Sequence, residues 1–214
     1  MIRTEHEHLK TLWYETHERL LAKELLSNRE ASLSLRCPGS RAMWLGEMVD
    51  AKPYLIDWDD AASSDMPAVH AAVYAKRPDV GAIAWGGAFF GPCLDGFGGV
   101  LPQLFDEQAR HLGPMKTAPE GIDALEEALR EGGNVLLMEG MPLCFGTTCT
   151  RLALNLELFE KCVKAYVLAI ATNGAVKSLP WWVRRIANGR LAKDQRRAAE
   201  AFKRGELPME SRAY

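Results

Sequence analysis

Apolar positions along the chain fall into blocks of two different periods. Leu9, Leu12, Trp13, Leu20 and Leu21 recur at helical spacing with Glu and Lys between them, which predicts one long amphipathic helix over residues 4–26. Ser32–Arg36 alternates like a half-exposed strand, Cys37-Pro38-Gly39-Ser40 makes a turn, and Ala42–Leu45 returns as a partner strand. The stretch Ser63–Gly87 reads as a helix running into a buried strand. Ser63 and Ser64 offer an N-cap, Asp65 suits the positive helix end, and Pro67 fits the first turn. Met66, Val69 and Val73 give that helix one apolar face. Arg77-Pro78 ends it, and Val80–Trp85 is a short uncharged strand suited to the middle of a covered sheet. Gly86-Gly87 then opens a mouth where backbone or ligand can come close.

Residues 86–101 hold six glycines with Phe89, Phe90 and Phe97, a composition that predicts a mobile loop beside the mouth rather than a regular element. Leu101–Leu112 reads as a short helix, and Gly121–Arg130 as a helix with Ile122, Leu125 and Leu129 on one face. Gly132-Gly133 stops that helix before a second buried strand, Asn134–Met138. Gly140–Gly146 reads as a turn and a further strand, and Leu152–Ala171 as a long apolar helix packed on the sheet. A last helix runs from about Lys193 to Arg204, after Pro180-Trp181-Trp182-Val183-Arg184-Arg185. No repeat or linker breaks the pattern. The expectation is one α/β domain over residues 1–171, with residues 172–214 as a basic tail of the same domain or a subunit contact.

Composition narrows this little. The 214 residues are 48% hydrophobic and 25% charged with a formal net charge of -2, which points to neither nucleic acid nor an acidic membrane. No apolar run approaches the ~20 residues of a membrane span, and MIRTEHEHLK lacks the apolar centre of a signal peptide. Cys37, Cys93, Cys144, Cys149 and Cys162 form an odd set without CxxC spacing, read as reduced thiols of a cytoplasmic protein. The charge is uneven: residues 172–214 carry ten Lys/Arg against four Asp/Glu, net +6, leaving -8 on the remainder. Such a tail suits docking on the chain's own body or on a neighbouring subunit, with nucleic acid a less favoured alternative.

Several segments match a known family in order and spacing. SSDMPAVHAAVYAKRPDVGAIAW, then VLLMEGMPLCFG, then the helix Leu154–Ala169 resemble the class II aldolase/adducin family, whose members include fuculose-phosphate aldolase. The resemblance covers roughly residues 4–171. It implies a three-layer α/β/α fold around a central mixed, mainly antiparallel sheet, and a homo-oligomer, a tetramer, with sites between subunits. In the family's enzymes two histidines of an HTH stretch and one of an NHG stretch hold zinc, which acts as a Lewis acid on the enediolate left by aldol cleavage. Those positions fall here on Trp85, Gly87 and Glu139. None is histidine, so the resemblance implies no cofactor, and a divalent metal such as zinc only if other ligands replace the histidines.

Other family positions are partly kept. The catalytic glutamate falls on Asp65, one methylene shorter, and the phosphate-binding SGN stretch on Glu30-Ala31-Ser32, where Glu30 would repel phosphate and Ser32 could still donate a hydrogen bond. Asp65 is read as a helix-capping acid or a proton carrier, Glu139 as a solvated carboxylate or its acid/base partner, and Trp85 as filler of the vacated metal space or a stacking platform for a ligand. His70 is read as a packing or hydrogen-bonding residue, and His111 as a surface residue. His6 and His8, two apart on a helix, do not share a face. Cys93 and Cys144 flank the expected mouth without a His partner in sequence. In the family's enzymes a tyrosine near the C-terminus can act as an acid, a role that the resemblance extends only remotely to Tyr214, the last residue given. The reading is a degenerate member of the family, a pseudoenzyme, acting in small-molecule binding, regulation or assembly. The alternative is a lyase, an aldolase or decarboxylase of a small hydroxy or oxo acid or a sugar phosphate, with Asp65 and Glu139 as catalytic residues and Ser32, Trp85 and Gly87 binding substrate.

Overall fold

A computed structural model describes residues 2–61, 66–117 and 119–210, residues 2–6 by their backbone alone. Helix α1 (Ile2–Ala22) leads into strands β1 (Ser32–Arg36), β2 (Ala42–Glu47) and β3 (Tyr54–Asp57). Then come α2 (Met66–Lys76), β4 (Ala82–Trp85), the short helices α3 (Phe90–Cys93) and α4 (Asp106–His111), and α5 (Ile122–Ala128). The hairpin β5 (Val135–Met138) and β6 (Met141–Gly146) precedes two long helices, α6 (Cys149–Ala171) and α7 (Trp181–Lys203). The strands make one sheet in the order β3-β2-β1-β4-β6-β5. Each of its five pairings is antiparallel, so among the described residues the expected mixture of directions gives way to a purely antiparallel sheet.

Helices cover both faces, which is why the central strands read as unbroken apolar runs. Leu33, Leu35, Ala82, Ala84, Val135, Leu137 and Cys144 point to the side packed by α1 and α6. Met43, Leu45, Ile83, Leu136, Leu143 and Phe145 point to the other side, against α2 and α5. The period-two rule of a strand therefore sorts one apolar run into two cores. Trp13 of α1 is fully buried, and its indole N–H donates to the Leu33 carbonyl at 2.9 Å.

The motif Arg77-Pro78-Asp79 proves to be a structural clamp. The Arg77 guanidinium grips Asp79 with two 2.8 Å bonds and also donates to the Gly133 carbonyl at 2.7 Å and to Asn134 Oδ1 at 3.0 Å. Gln195 of α7 reaches the same turn, donating to the Gly132 carbonyl at 2.6 Å and to Asn134 Oδ1 at 3.1 Å. Helix α7 begins at Trp181, twelve residues before the expected start. It packs on α4, with Arg110 and Asp194 paired at 2.5 Å. At its far end the Phe202 ring lies 5.1 Å from the Arg36 guanidinium, which also lies 4.9 Å from the Trp58 ring.

The glycine-rich segment 86–101 is better ordered than its composition predicts. It holds α3 and a 3-10 turn at Leu94–Phe97, and the Glu160 carboxylate accepts from the backbone N–H of Phe90 at 2.5 Å and of Gly91 at 2.8 Å. The ammonium of Lys164 sits 5.4 Å over the Phe90 ring. The glycines serve close approach: a Cβ on Gly91 would stand 2.7 Å from Pro142 Cγ.

Candidate functional site

Cross-strand register gathers the candidate residues at one end of the sheet. Ser32 is paired with Glu47 on one side and with Trp85 on the other, so the three side chains share the face covered by α2. Above this row lies a cavity of about 380 Å³. Its walls are Arg29 and Glu30 from the segment before β1, Glu47 at the end of β2, and Met66 at the start of α2. Trp85 and Gly86 at the end of β4, and Glu139 in the β5–β6 turn, close it. Three carboxylates thus meet one guanidinium around an indole.

Each wall residue has a local reason for its place. Gly86 takes φ +129 and lets the chain pass Ala31, where a Cβ would stand 2.6 Å from the Ala31 methyl. Trp85 is half-buried, packs against the α2-side core, and its N–H points to the Met138 carbonyl at 3.4 Å, which leaves the ring as part of the cavity wall. Glu139 and Gly140 are the two central residues of the β5–β6 hairpin, at φ +54 and +74. That is the left-handed turn which suits the twist of a two-residue hairpin.

Two candidates sit differently from their sequence reading. Ser32 is completely buried beneath the cavity, and its hydroxyl shares a 2.9 Å hydrogen bond with His70 Nε2. The other ring nitrogen of His70 meets Ser34 Oγ at 2.7 Å, and Ser34 Oγ lies 2.9 Å from the Tyr74 hydroxyl. The Ser32 hydroxyl is therefore held in a closed core network. Gly87 is buried behind the cavity, where its carbonyl accepts from the Ser27 N–H at 3.1 Å and its Cα faces Pro142. Asp65 lies outside the described residues, as does Tyr214; the neighbour of Asp65, Met66, lines the cavity.

The electrostatics separate structural groups from available ones. Burial pushes His70 down to about 3, so the ring is neutral and bonded to two hydroxyls. His111, which the sequence reading put at the surface, is half-buried beside Arg151 and Arg110, and burial followed by those cations pushes it down to about 4. Cys144 is fully buried on the α1/α6 side of the sheet, away from the cavity, and burial raises its thiol strongly. Cys37 and Cys149 are pushed up to about 11 in the same way, which makes them poor nucleophiles. Cys93 Sγ donates to the Phe89 carbonyl at 3.2 Å.

A catalytic zinc takes three protein ligands, usually with imidazole among them. The described cavity wall offers Glu30, Glu47 and Glu139 and no histidine or cysteine. Among the described residues no three His, Cys, Asp or Glu side chains converge well enough to hold a metal ion. The donors that the described residues bring to the wall do not fit zinc.

The fold has counterparts among solved structures, although no family model and no curated protein matches the sequence. The L-fuculose 1-phosphate aldolase from Glaciozyma antarctica PI12 superposes with a TM-score of 0.75 at 14% identity, over 98% of this chain and 95% of that one. An aldolase II superfamily protein from Pseudomonas syringae gives 0.66 at 16% identity, over 94% of each chain. The chain has the class II aldolase fold. The L-fuculose-1-phosphate aldolase from Thermus Thermophilus agrees at 0.61 and 19% identity, over 79% of this chain and 98% of that one. Similarity this low carries the architecture and leaves the chemistry to the side chains. No helix among the described residues is long and apolar enough to cross a membrane.

Sequence reasoning gave no site role to Arg29, Met66 or Glu47, although it set the stretch Trp44–Glu47 against a family motif whose pattern it lacks. Each lies at the end or edge of an element, and only the antiparallel register brings Glu47 opposite Ser32. Glu30, which reads from the sequence as repelling phosphate, lines the same cavity as Glu47, Glu139 and Arg29.

Proposed function

We infer that this chain is a small-molecule-binding protein built on the class II aldolase fold, without zinc-dependent aldol cleavage, and that its cavity takes an organic cation. The observation that carries this is the wall chemistry: Glu30, Glu47 and Glu139 surround the Trp85 indole with one opposing guanidinium, Arg29. An ammonium group over an indole gains ~0.5–2 kcal/mol of cation–π attraction, more as water is excluded. The three carboxylates, exposed at the cavity rim, add a solvent-screened Coulomb attraction. A sugar phosphate would meet the same carboxylates as like charges. A volume of about 380 Å³ suits a small metabolite with one or two amino groups.

A second reading, a carbon–carbon lyase using Glu139 as a proton carrier with Asp65, rests on the backbone of Glu139. A side chain other than glycine held at φ +54 is the sort of local strain that collects at functional sites. The acidic wall argues against an acid or phosphate substrate for it, which leaves binding as the better-supported function.

The test is made on protein purified without an affinity tag. Zinc content is measured together with the thermal midpoint in the presence of a diamine, a quaternary amine, or dihydroxyacetone phosphate. The expected result is far less than one zinc per chain, a midpoint raised by the amines, and no shift with the phosphate. Stoichiometric zinc with measurable cleavage of a ketose phosphate would overturn the proposal.

A further inference from the structure

Charges of both signs border the cavity beside Trp85 without satisfying one another. Arg29, Glu30, Glu47 and Glu139 all line it and are all exposed. None of the four enters an ion pair among the described residues. An ion pair needs nitrogen and oxygen within about 4 Å, so the guanidinium and the carboxylates are held further apart than that around a common space.

Sheet order spreads the acids. Glu47 ends β2 and Glu139 sits in the β5–β6 turn, with β1 and β4 between β2 and β6. Three strand spacings put β2 and β6 about 14 Å apart. Trp85, at the end of β4, stands between these two acidic poles. The cation comes from a built turn. The Asn28 carbonyl accepts from the Ala31 N–H at 3.1 Å, and Asn28 Oδ1 accepts from the Glu30 N–H at 3.2 Å, with Arg29 at the corner. The second bond orients the Asn28 amide: Oδ1 turns to the backbone and Nδ2 is left to donate. Asn28 and Arg29 thus bring neighbouring donors to the cavity wall.

We propose that the organic cation of this cavity is a diamino acid such as ornithine or lysine, a ligand class that rests on the cation-binding reading of the site. Its two ammonium groups face the Glu47 and Glu139 poles across the Trp85 ring, and its carboxylate takes donors from Arg29 and Asn28. The planar fork of a guanidinium matches a carboxylate. A plain diamine leaves Arg29 facing a ligand of its own sign, and a plain acid faces three carboxylates. At neutral pH a diamino acid carries two positive charges and one negative, against a wall of one guanidinium and three carboxylates. Each charge on the ligand then meets its opposite.

Ornithine and putrescine differ by one carboxylate, which makes them the probes. Each is titrated calorimetrically into the untagged wild type and into Arg29→Gln, an exposed turn position, with native circular dichroism checked for the variant. Wild type is expected to bind ornithine about two- to fivefold more tightly than putrescine, the range of one exposed ion pair. Arg29→Gln is expected to weaken ornithine and to tighten putrescine, since a charge of the diamine's own sign has gone. A purely structural role for Arg29 would move both ligands in the same direction, and that result would overturn the proposal. So would putrescine binding as tightly as ornithine or more tightly in wild type, which leaves the cavity a site for plain cations. Binding of neither ligand would overturn both the proposal and the cation-binding reading beneath it.

Discussion

At Glu139 the backbone takes φ +54, in a hairpin position that asparagine or glycine fills more easily. A left-handed conformation costs such a residue on the order of 1 kcal/mol. Glu139→Asn should therefore raise stability by ~0.5–1 kcal/mol in a urea titration while weakening binding of an amine, because one wall carboxylate is gone. A variant that is stabilised and binds unchanged would remove Glu139 from the site. His70 makes the opposite kind of case. Its folded pKa, about 3, lies below the ordinary value near 6.5, so the unfolded chain binds one more proton between those limits. The stability it contributes is complete above pH ~6.5 and is lost as pH falls towards 3, at up to about 1.4 kcal/mol per pH unit. His70→Gln should lower stability at neutral pH, because two buried serine hydroxyls lose their shaped partner. It should also flatten the pH dependence between 6 and 4 relative to wild type, and parallel curves would contradict the assignment.

Arg77-Pro78-Asp79 shows how an element-scale signature can mark architecture rather than chemistry. The bidentate pair ends α2 and holds the turn before β5 and, through Asn134, the middle of α7. Removing one partner leaves a buried charge, so Asp79→Ala should cost about 3–5 kcal/mol in denaturant unfolding. A loss under 1 kcal/mol would show that the clamp is incidental. Motifs of this kind make the body legible in sequence: β1, β2, β4, β5, β6 and the helices around them are readable because their apolar runs and turn residues agree. Strand β3 is not, being four residues long, preceded by Pro53 and exposed at Tyr54 and Leu55, with no period-two alternation. The start of α7 escapes a sequence reading because its packed face is built of Ala187, Leu191, Ala198 and Ala201, a weak signal among arginines and tryptophans. In the site, Trp85 and Glu139 are legible from the strand ends. The closure of Ser32 onto His70 is not, since it depends on which face of β1 lies under α2.

Across the whole molecule, the same scaffold can host unrelated activities, and the difference lies in the side chains at one end of the sheet. Here that end combines an indole with three carboxylates, while the excess positive charge is carried by the C-terminal helix. The fold is that of aldolases, and the charge of the cavity is suited to a cation. The most direct test is calorimetric titration of the untagged protein with putrescine, repeated for Trp85→Ala with its fold checked. A saturable heat at about one ligand per chain is expected, with the dissociation constant raised about 2- to 30-fold in Trp85→Ala, the range that cation–π attraction implies. No heat from putrescine, together with saturable binding of dihydroxyacetone phosphate, would contradict a cation-binding cavity.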